Sequence, residues 1–335
     1  MKNKKKILLV VDNESWAFYN IASNFQKELK DVFDIDIIAM ERLNGNIADL
    51  FMFAQDYDLI HFFWRGLLLD LNIDFTRSYI YNLGLSQEEF IEKFVKPRKI
   101  TTAVYDHKLL DKDTINEFSK YIKGYYTSST LLKKAYQELD INKYPSMVIT
   151  DGIDTKLFKP KKDRFKNIKN RTLSIGWVGN SKWNGEYDHK GLNTIIKPAV
   201  EELIKEGYDI KLHLADSNVK LRAREEMPEY YNEIDLYVCC SISEGTPNPI
   251  LESFACGIPV ITTDVGIVRD LFGPKQIKYI MKERSKEELK KKIITFINNL
   301  DQVEELEKEN LKQIKKWSWK YKAEDFKKFL EKVKV

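Results

Sequence analysis

The chain has 335 residues, 43% hydrophobic and 32% charged, with a formal net charge of +4. That length supplies two domains with separate cores, and that balance excludes a disordered or fibrous chain. No apolar run approaches the roughly 20 residues that cross a bilayer, so no integral membrane association is expected. The start, MKNKKKILLVVD, is too short in its apolar part for a signal peptide, and Asp12 and Glu14 interrupt it. A cytoplasmic protein is expected. Cys239, Cys240 and Cys256 are odd in number and sit in apolar segments, which reads as small core residues rather than a disulfide or metal set.

In chain order, Ile7–Asp12 reads as a buried strand. Trp16–Leu29 follows with apolar residues at helical spacing. Ile35–Met40 and Leu59–Trp64 are strands with few polar residues, the pattern of a parallel sheet covered on both faces. Ser86 opens a helix with Glu89 three positions on, a capping box. Ile100–Tyr105 is a strand, Thr114–Tyr121 a helix, Gly124–Ser128 a strand, Ser129–Leu139 a helix and Ser146–Thr150 a strand. This alternation is that of a doubly wound α/β domain. Asp34-Ile-Asp36 and Asp56-Tyr-Asp58 look like metal-binding Asp-x-Asp pairs. They lie at strand starts, the wrong edge of a parallel sheet for a site, so a structural role is expected. Trp16, Phe62, Phe63 and Trp64 are expected to pack rather than to form a sugar platform.

Charge is uneven. Residues 1–155 carry 20 Lys/Arg against 23 Asp/Glu, whereas residues 156–171 carry 8 against 1. The basic segment is expected to be a solvated linker, with a phosphate-contacting patch as the less favoured reading. The α/β pattern then restarts, with strand Leu173–Val178, helix Gly191–Glu206, strand Ile210–Ala215 and short helix Met227–Ile234. Helices near Lys286–Asn299 and Val303–Lys316 follow, then a break at Trp317–Trp319 and a last helix from about Tyr321 to Val333.

Ser243–Asp264 carries the densest chemistry. An apolar strand, Leu236–Ser241, runs into a Gly/Pro-rich turn. A short helix follows, then a second strand, Pro259–Thr263. Glu244 and Glu252 flank the turn, eight positions apart. Such a turn lies at the carboxyl edge of a parallel sheet, where open α/β sheets bind ligands. Amides at the helix start suit a phosphate, and the carboxylates suit sugar hydroxyls.

Four segments in order are similar to retaining glycosyltransferases of family 4, which have the GT-B architecture. They are Tyr126-Thr-Ser-Ser129, then Ile149–Pro160 (ITDGIDTKLFKP), then Ile175-Gly-Trp-Val-Gly-Asn180 with Lys190-Gly191, then Glu244–Glu252 with Cys256–Ile261. The resemblance spans roughly residues 120–275. It implies two Rossmann-like doubly wound domains facing a central cleft, with the C-terminal helix returning to the N-terminal domain. The domains would be 1–155 (acceptor side) and 172–318 (donor side), joined by the linker 156–171 and followed by the helix 319–335. It also implies a nucleotide-diphosphate sugar donor, UDP- or GDP-linked, with no metal, no other cofactor and a retained anomeric configuration.

The resemblance further assigns roles. Lys190, with amides from Gly191 and from Gly245 and Thr246, would stabilise the departing diphosphate. Glu252 would hold the ribose, and Glu244 would contact the transferred sugar. Gly179, Asn180, Lys182 and Asn248 would complete the donor site, and His107 would touch the donor sugar. The family's first strand leads into a glycine-rich loop; here Asn13, Glu14, Ser15 and Trp16 occupy it, and they are the candidate acceptor contacts. The stretch after Leu214 is short, which implies an abbreviated wall for the nucleobase.

The expected activity is sugar transfer to a hydroxyl on a glycan, a lipid-linked glycan or another acceptor. The alternatives are a DNA-base glycosyltransferase, a nucleotide-sugar epimerase and an inactive nucleotide-sugar-binding protein. A DNA acceptor is permitted by the basic segment but not favoured, because residues 1–155 are slightly acidic.

Overall fold

The computed structural model describes residues 4–182 and 187–334. The chain divides into two compact units, Met1–Asp151 with Trp319–Val335, and Gly152–Ser318. No helix among the described residues is long and apolar enough to cross a membrane.

Unit 1 is built on six parallel strands: β1 (Lys6–Val11), β2 (Asp34–Ala39), β3 (Leu59–Phe62), β4 (Ile100–Val104), β5 (Gly124–Thr127) and β6 (Met147–Val148). Their order is β2-β1-β3-β4-β5-β6. β3, β4 and β5 are buried along their whole length, which explains their runs of apolar and small polar residues, with the buried His61 as the exception. The helix Ala17–Leu29 buries Ile21, Ala22, Phe25 and Leu29. The C-terminal helix Trp319–Lys332 packs beside it, and the Phe326 ring stacks on Phe25 with centroids 4.5 Å apart. The chain's last helix is thus part of the first unit's core. Two short helices that the periodicity does not mark, Ile47–Phe53 and Asp74–Asn82, pack on the opposite face of the sheet, in the cluster with Leu8, Val10, Ile60 and Phe62. The Ser86 capping box is present. The two Asp-x-Asp pairs are structural: Asp36 accepts from the Tyr57 hydroxyl at 2.7 Å, and Asp58 pairs with Lys5 at 2.9 Å.

Unit 2 carries β7 (Leu173–Gly179), β8 (Ile210–Asp216), β9 (Leu236–Cys239) and β10 (Val260–Thr262), all parallel, in the order β10-β9-β7-β8. The basic segment 156–171 differs from the expected solvated linker, because it is folded onto this unit. Phe158, Phe165 and Ile168 are buried. Arg164 donates to the carbonyls of Cys256 (2.9 Å) and Tyr231 (3.1 Å), and Arg171 grips the buried Asp235 at 2.7 Å. Two of its cations are therefore consumed in satisfying backbone carbonyls and a carboxylate. The three cysteines are buried and free.

The expected helix Gly191–Glu206 is a wide turn over Leu192–Ile196 followed by the α-helix Lys197–Lys205, with Pro198 in its first turn. The strand before the Gly/Pro-rich turn ends at Cys239, two residues earlier than expected, because the chain turns there toward Glu244.

Candidate donor site

A cavity of about 540 Å³ opens at the carboxyl edge of the unit 2 sheet. Its walls come from the ends of β7 and β8, the loop 217–224, Lys190, and the turn and helix that follow β9. Of the residues singled out in the sequence, Gly179, Asn180, Lys190, Glu244, Asn248 and Glu252 all line it. The lysine and the two acids thus line one pocket.

Each is held by a definite device. Gly179 ends β7, and a Cβ there would lie 2.8 Å from the Lys190 Cδ, so its bare backbone lets the lysine stem cross the strand end. Lys190 Nζ then donates to Glu244 Oε1 at 3.2 Å, and the Ser241 hydroxyl donates to the same oxygen at 2.8 Å. Glu252 Oε2 accepts from the Tyr231 hydroxyl at 2.6 Å. Burial pushes the Glu252 carboxyl up from 4.5 to about 7, against the Tyr231 hydrogen bond and the nearby Arg224 charge.

The helix Asn248–Ala255 starts without a side-chain cap or a first-turn acid. The helices Ile47–Phe53, Lys112–Ser119, Thr130–Gln137 and Lys286–Ile297 are each capped by Asn46, Asp111, Ser129 or Ser285. Just before Asn248, Gly245 is buried, and the amides of Gly245 and Thr246 donate to no acceptor among the described residues. The Thr246 hydroxyl is buried without a partner. Gly245 and Thr246 are not among the residues that line the cavity, and they precede the helix by three and two residues; unpaired amides ahead of a helix start can hold an anion.

Gly191 corrects the expectation. Its amide donates to the Asp188 carbonyl at 3.1 Å, and the Asp188 carboxylate accepts from the amides of Leu192, Asn193 and Thr194. This helix start is already neutralised by its own aspartate and has no amide left for a phosphate. Gly191 is required sterically instead, since φ is +71° and a Cβ would lie 2.7 Å from that of Cys240. Lys182 lies outside the cavity lining; it is exposed, and its amide closes a small turn on Asn180 Oδ1.

The remaining candidates belong to unit 1. His107 is half-buried, and its Nδ1 has no partner. Burial lowers its pKa from 6.5 and the Arg65 charge lowers it further, while Asp106 opposes. The turn that carries His107 is fastened by Arg65, which is fully buried and donates to Asp106 Oδ1 at 3.0 Å and to the Lys108 carbonyl. In the loop after β1, the Asn13 amide group binds Glu41, and Glu14 pairs with Arg42 at 2.6 Å. Those two side chains are engaged by residues that directly follow β2. Ser15 and the Trp16 ring, 63% exposed, are presented to solvent.

Several residues were not visible to the sequence reading. Arg284 donates to the carbonyls of Cys240 and Asp188, both at 2.8 Å, and so ties the lysine loop to the end of β9. Gly266 (φ +52°) underlies the turn, where a Cβ would lie 3.0 Å from the Glu244 carbonyl oxygen. Tyr231, Ser241 and the cations Lys220, Arg222 and Arg224 were also missed. A glycine two residues past Asp264 was the one readable signal, since a tight turn after a strand favours it.

Residues 218–317 match the model of the family described as glycosyl transferases group 1. The chain is 32% identical over 99 residues to TuaC of Bacillus subtilis, named as a teichuronic acid biosynthesis glycosyltransferase; this covers 30% of the chain and 23% of TuaC. It is 29% identical over 151 residues to the lipopolysaccharide core biosynthesis mannosyltransferase LpsB of Rhizobium meliloti, covering 38% and 43%. The matches thus span less than half the length of these curated relatives. Among solved structures, sucrose-phosphate synthase from Thermosynechococcus elongatus superposes with a TM-score of 0.70 at 13% identity, covering 98% of this chain and 99% of that one. HepE of Anabaena, in complex with UDP and glucose, superposes with a TM-score of 0.67 at 13% identity, covering 98% and 100%. Residues 218–317 of the second unit are therefore similar to the glycosyl transferases group 1 family, in a chain with the two-sheet α/β fold of the GT-B architecture.

Proposed function

We propose that the chain transfers a sugar from a nucleotide-diphosphate sugar to a hydroxyl acceptor, without a metal and with retention of configuration. One observation carries this reading: Lys190, Glu244 and Glu252 converge on one cavity beside an uncapped helix start. A sugar diphosphate needs that combination. Cations and amides take the phosphate charge, which grows as the group departs, and carboxylates accept from hydroxyls.

In this reading Lys190 and the amides of Gly245 and Thr246 hold the diphosphate, and Glu252 receives the ribose hydroxyls. Glu244, already bonded to Lys190, receives hydroxyls of the transferred sugar and faces positive character at the anomeric carbon. The bond from the anomeric carbon to the phosphate oxygen breaks. The acceptor oxygen bonds to that carbon on the same face, and its proton passes to the leaving phosphate. Unit 1 is assigned the acceptor, with Ser15 and Trp16 as contacts, and His107 is assigned to the sugar. UDP- and GDP-sugars are the candidate donors.

The test is hydrolysis and transfer with a panel of sugar nucleotides, comparing wild type with Lys190→Ala and Glu252→Ala. Loss of Lys190 is expected to lower turnover by about 10²–10³-fold. Unchanged rates in both variants would overturn the assignment.

A further inference from the structure

The basic segment 156–171 holds charges that the fold does not use. Arg164 and Arg171 are turned inward, and Lys169 pairs with Asp301. Lys156, Lys159, Lys161 and Lys162 are different: all four are exposed, and none pairs with a carboxylate among the described residues. A second set comes from the end of the unit. The helix Val303–Ile314 and the turn Lys315–Trp317 carry Lys308, Lys312, Lys315 and Lys316, again exposed and without a carboxylate partner among the described residues. Their spacing of four, three and one puts them on one face of the helix and its last turn.

The two sets are brought together by the backbone. The Ile153 amide donates to the Trp317 carbonyl at 2.8 Å, and Ile153, Phe158, Ile314 and Trp317 are buried in one core cluster. All of these residues belong to the unit Gly152–Ser318. Residues 156–162 and 308–316 hold eight lysines against one acid, Glu309. Glu309 is already occupied by the amides of Lys275 (3.0 Å) and Gln276 (2.8 Å). Eight like charges held side by side repel one another, and a partner of opposite charge relieves that repulsion.

The kind of charge says which partner. A lysine is a flexible, hydrated point charge without the planar fork that grips one phosphate or reads a base edge. The segment's two arginines are spent inside the unit, and the Trp317 ring, which could stack on a base, is buried. A broad field of point charges suits a surface of many mobile anionic groups. We propose that this lysine surface of the second unit docks the protein on an anionic lipid surface. The contact is separate from the donor cavity and does not rest on its reading.

The test is cosedimentation with vesicles of phosphatidylcholine alone and of phosphatidylcholine with phosphatidylglycerol. Wild type is expected to bind the anionic vesicles and not the neutral ones, and added salt is expected to release it. The triple variant Lys312→Gln, Lys315→Gln, Lys316→Gln is expected to bind the anionic vesicles about a hundredfold more weakly, the effect of three lysines near a charged surface. The control variant Lys27→Gln, Lys30→Gln, Lys123→Gln removes the same charge from exposed positions of unit 1 and is expected to bind as wild type does. Thermal melts of both variants check that they fold. Equal losses in the two variants would make net charge responsible and would overturn the proposal. So would wild-type protein that ignores anionic vesicles, or that binds duplex DNA in their place.

Discussion

Gly266→Ala probes the turn that is proposed to hold the diphosphate. Gly266 has φ +52°, and a Cβ built on it lies 2.9 Å from the Gly245 carbonyl carbon, 3.0 Å from the Glu244 oxygen and closer still to the Gly245 oxygen. These are backbone atoms, which cannot rotate away as a side chain can. The left-handed conformation costs an alanine about 1–2 kcal/mol. Displacing the 244–245 backbone adds about 1–3 kcal/mol, the usual range for forced overpacking. The sum, about 2–5 kcal/mol, falls on the unit Gly152–Ser318. For a domain of that size it corresponds to a fall in melting temperature of about 4–20 °C. Gly207→Ala is the control, since its φ is +94° but nothing lies within 4 Å of the added carbon, so it bears the conformational cost alone. The displacement should also move the Gly245 and Thr246 amides and weaken UDP binding about 10–100-fold, the loss of one or two charge-assisted hydrogen bonds. Calorimetric melts and UDP titrations on both variants decide the matter. If Gly266→Ala is no less stable than Gly207→Ala, or binds UDP as wild type does, the close approach is not what shapes the site.

Glu252 gives a pH prediction. Its folded carboxyl sits at about 7, against 4.5 ordinarily, so between about pH 4.5 and 7 the folded chain keeps a proton that the unfolded chain has released. Stability should therefore fall as pH rises through that window, and Glu252→Gln should flatten the slope in denaturant unfolding at pH 5 and 7.5. An equally steep slope in the variant argues against the burial shift. Asp151 in unit 1, raised from 3.8 to about 7 by burial, should add a separate slope that Asp151→Asn removes. Phe326→Ala should cost unit 1 about 3–5 kcal/mol in urea unfolding, because the ring is fully buried on Phe25. A loss under 1 kcal/mol would mean that the C-terminal helix is not integral to that core. Arg65→Met removes the charged hydrogen bonds that hold the His107 turn, where Leu109 has φ +53°, and should cost about 1.5–3 kcal/mol. Faster amide exchange at residues 106–109 would report it, and unchanged exchange would deny the clamp.

The parallel sheets were legible because strands covered on both faces leave runs with few polar residues, as in Leu8–Val11 and, with His61 as its one polar residue, Leu59–Phe62. The helix Ile47–Phe53 was not, because it is seven residues long and apolar on nearly every side, so it shows no helical period. The basic segment misled because composition counts charges but not their partners. Arg164 reads as one solvated cation among eight, yet it satisfies carbonyls 67 and 92 residues away.

In the site the division is sharper. Some of the residues that motif reasoning proposed lack partners among the described residues, namely the amides of Gly245 and Thr246 and the Thr246 hydroxyl, whereas Glu244 and Glu252 already accept from Lys190, Ser241 and Tyr231. A residue whose type and spacing suit a ligand is constrained in a way that shows along the chain. Several of the residues that were missed satisfy something inside the protein. Asp188 closes its own helix start, Arg284 bridges two carbonyls, and Tyr231 supports Glu252. Each acts through position in space, over separations of 4 to 96 residues. Gly191 shows the consequence. Its place between a lysine and a helix suggested an amide for phosphate, but Asp188 three residues earlier had already taken that donor. A donor is available to a ligand only where the fold has left it unpaired, and that follows from tracing each polar group to its partner.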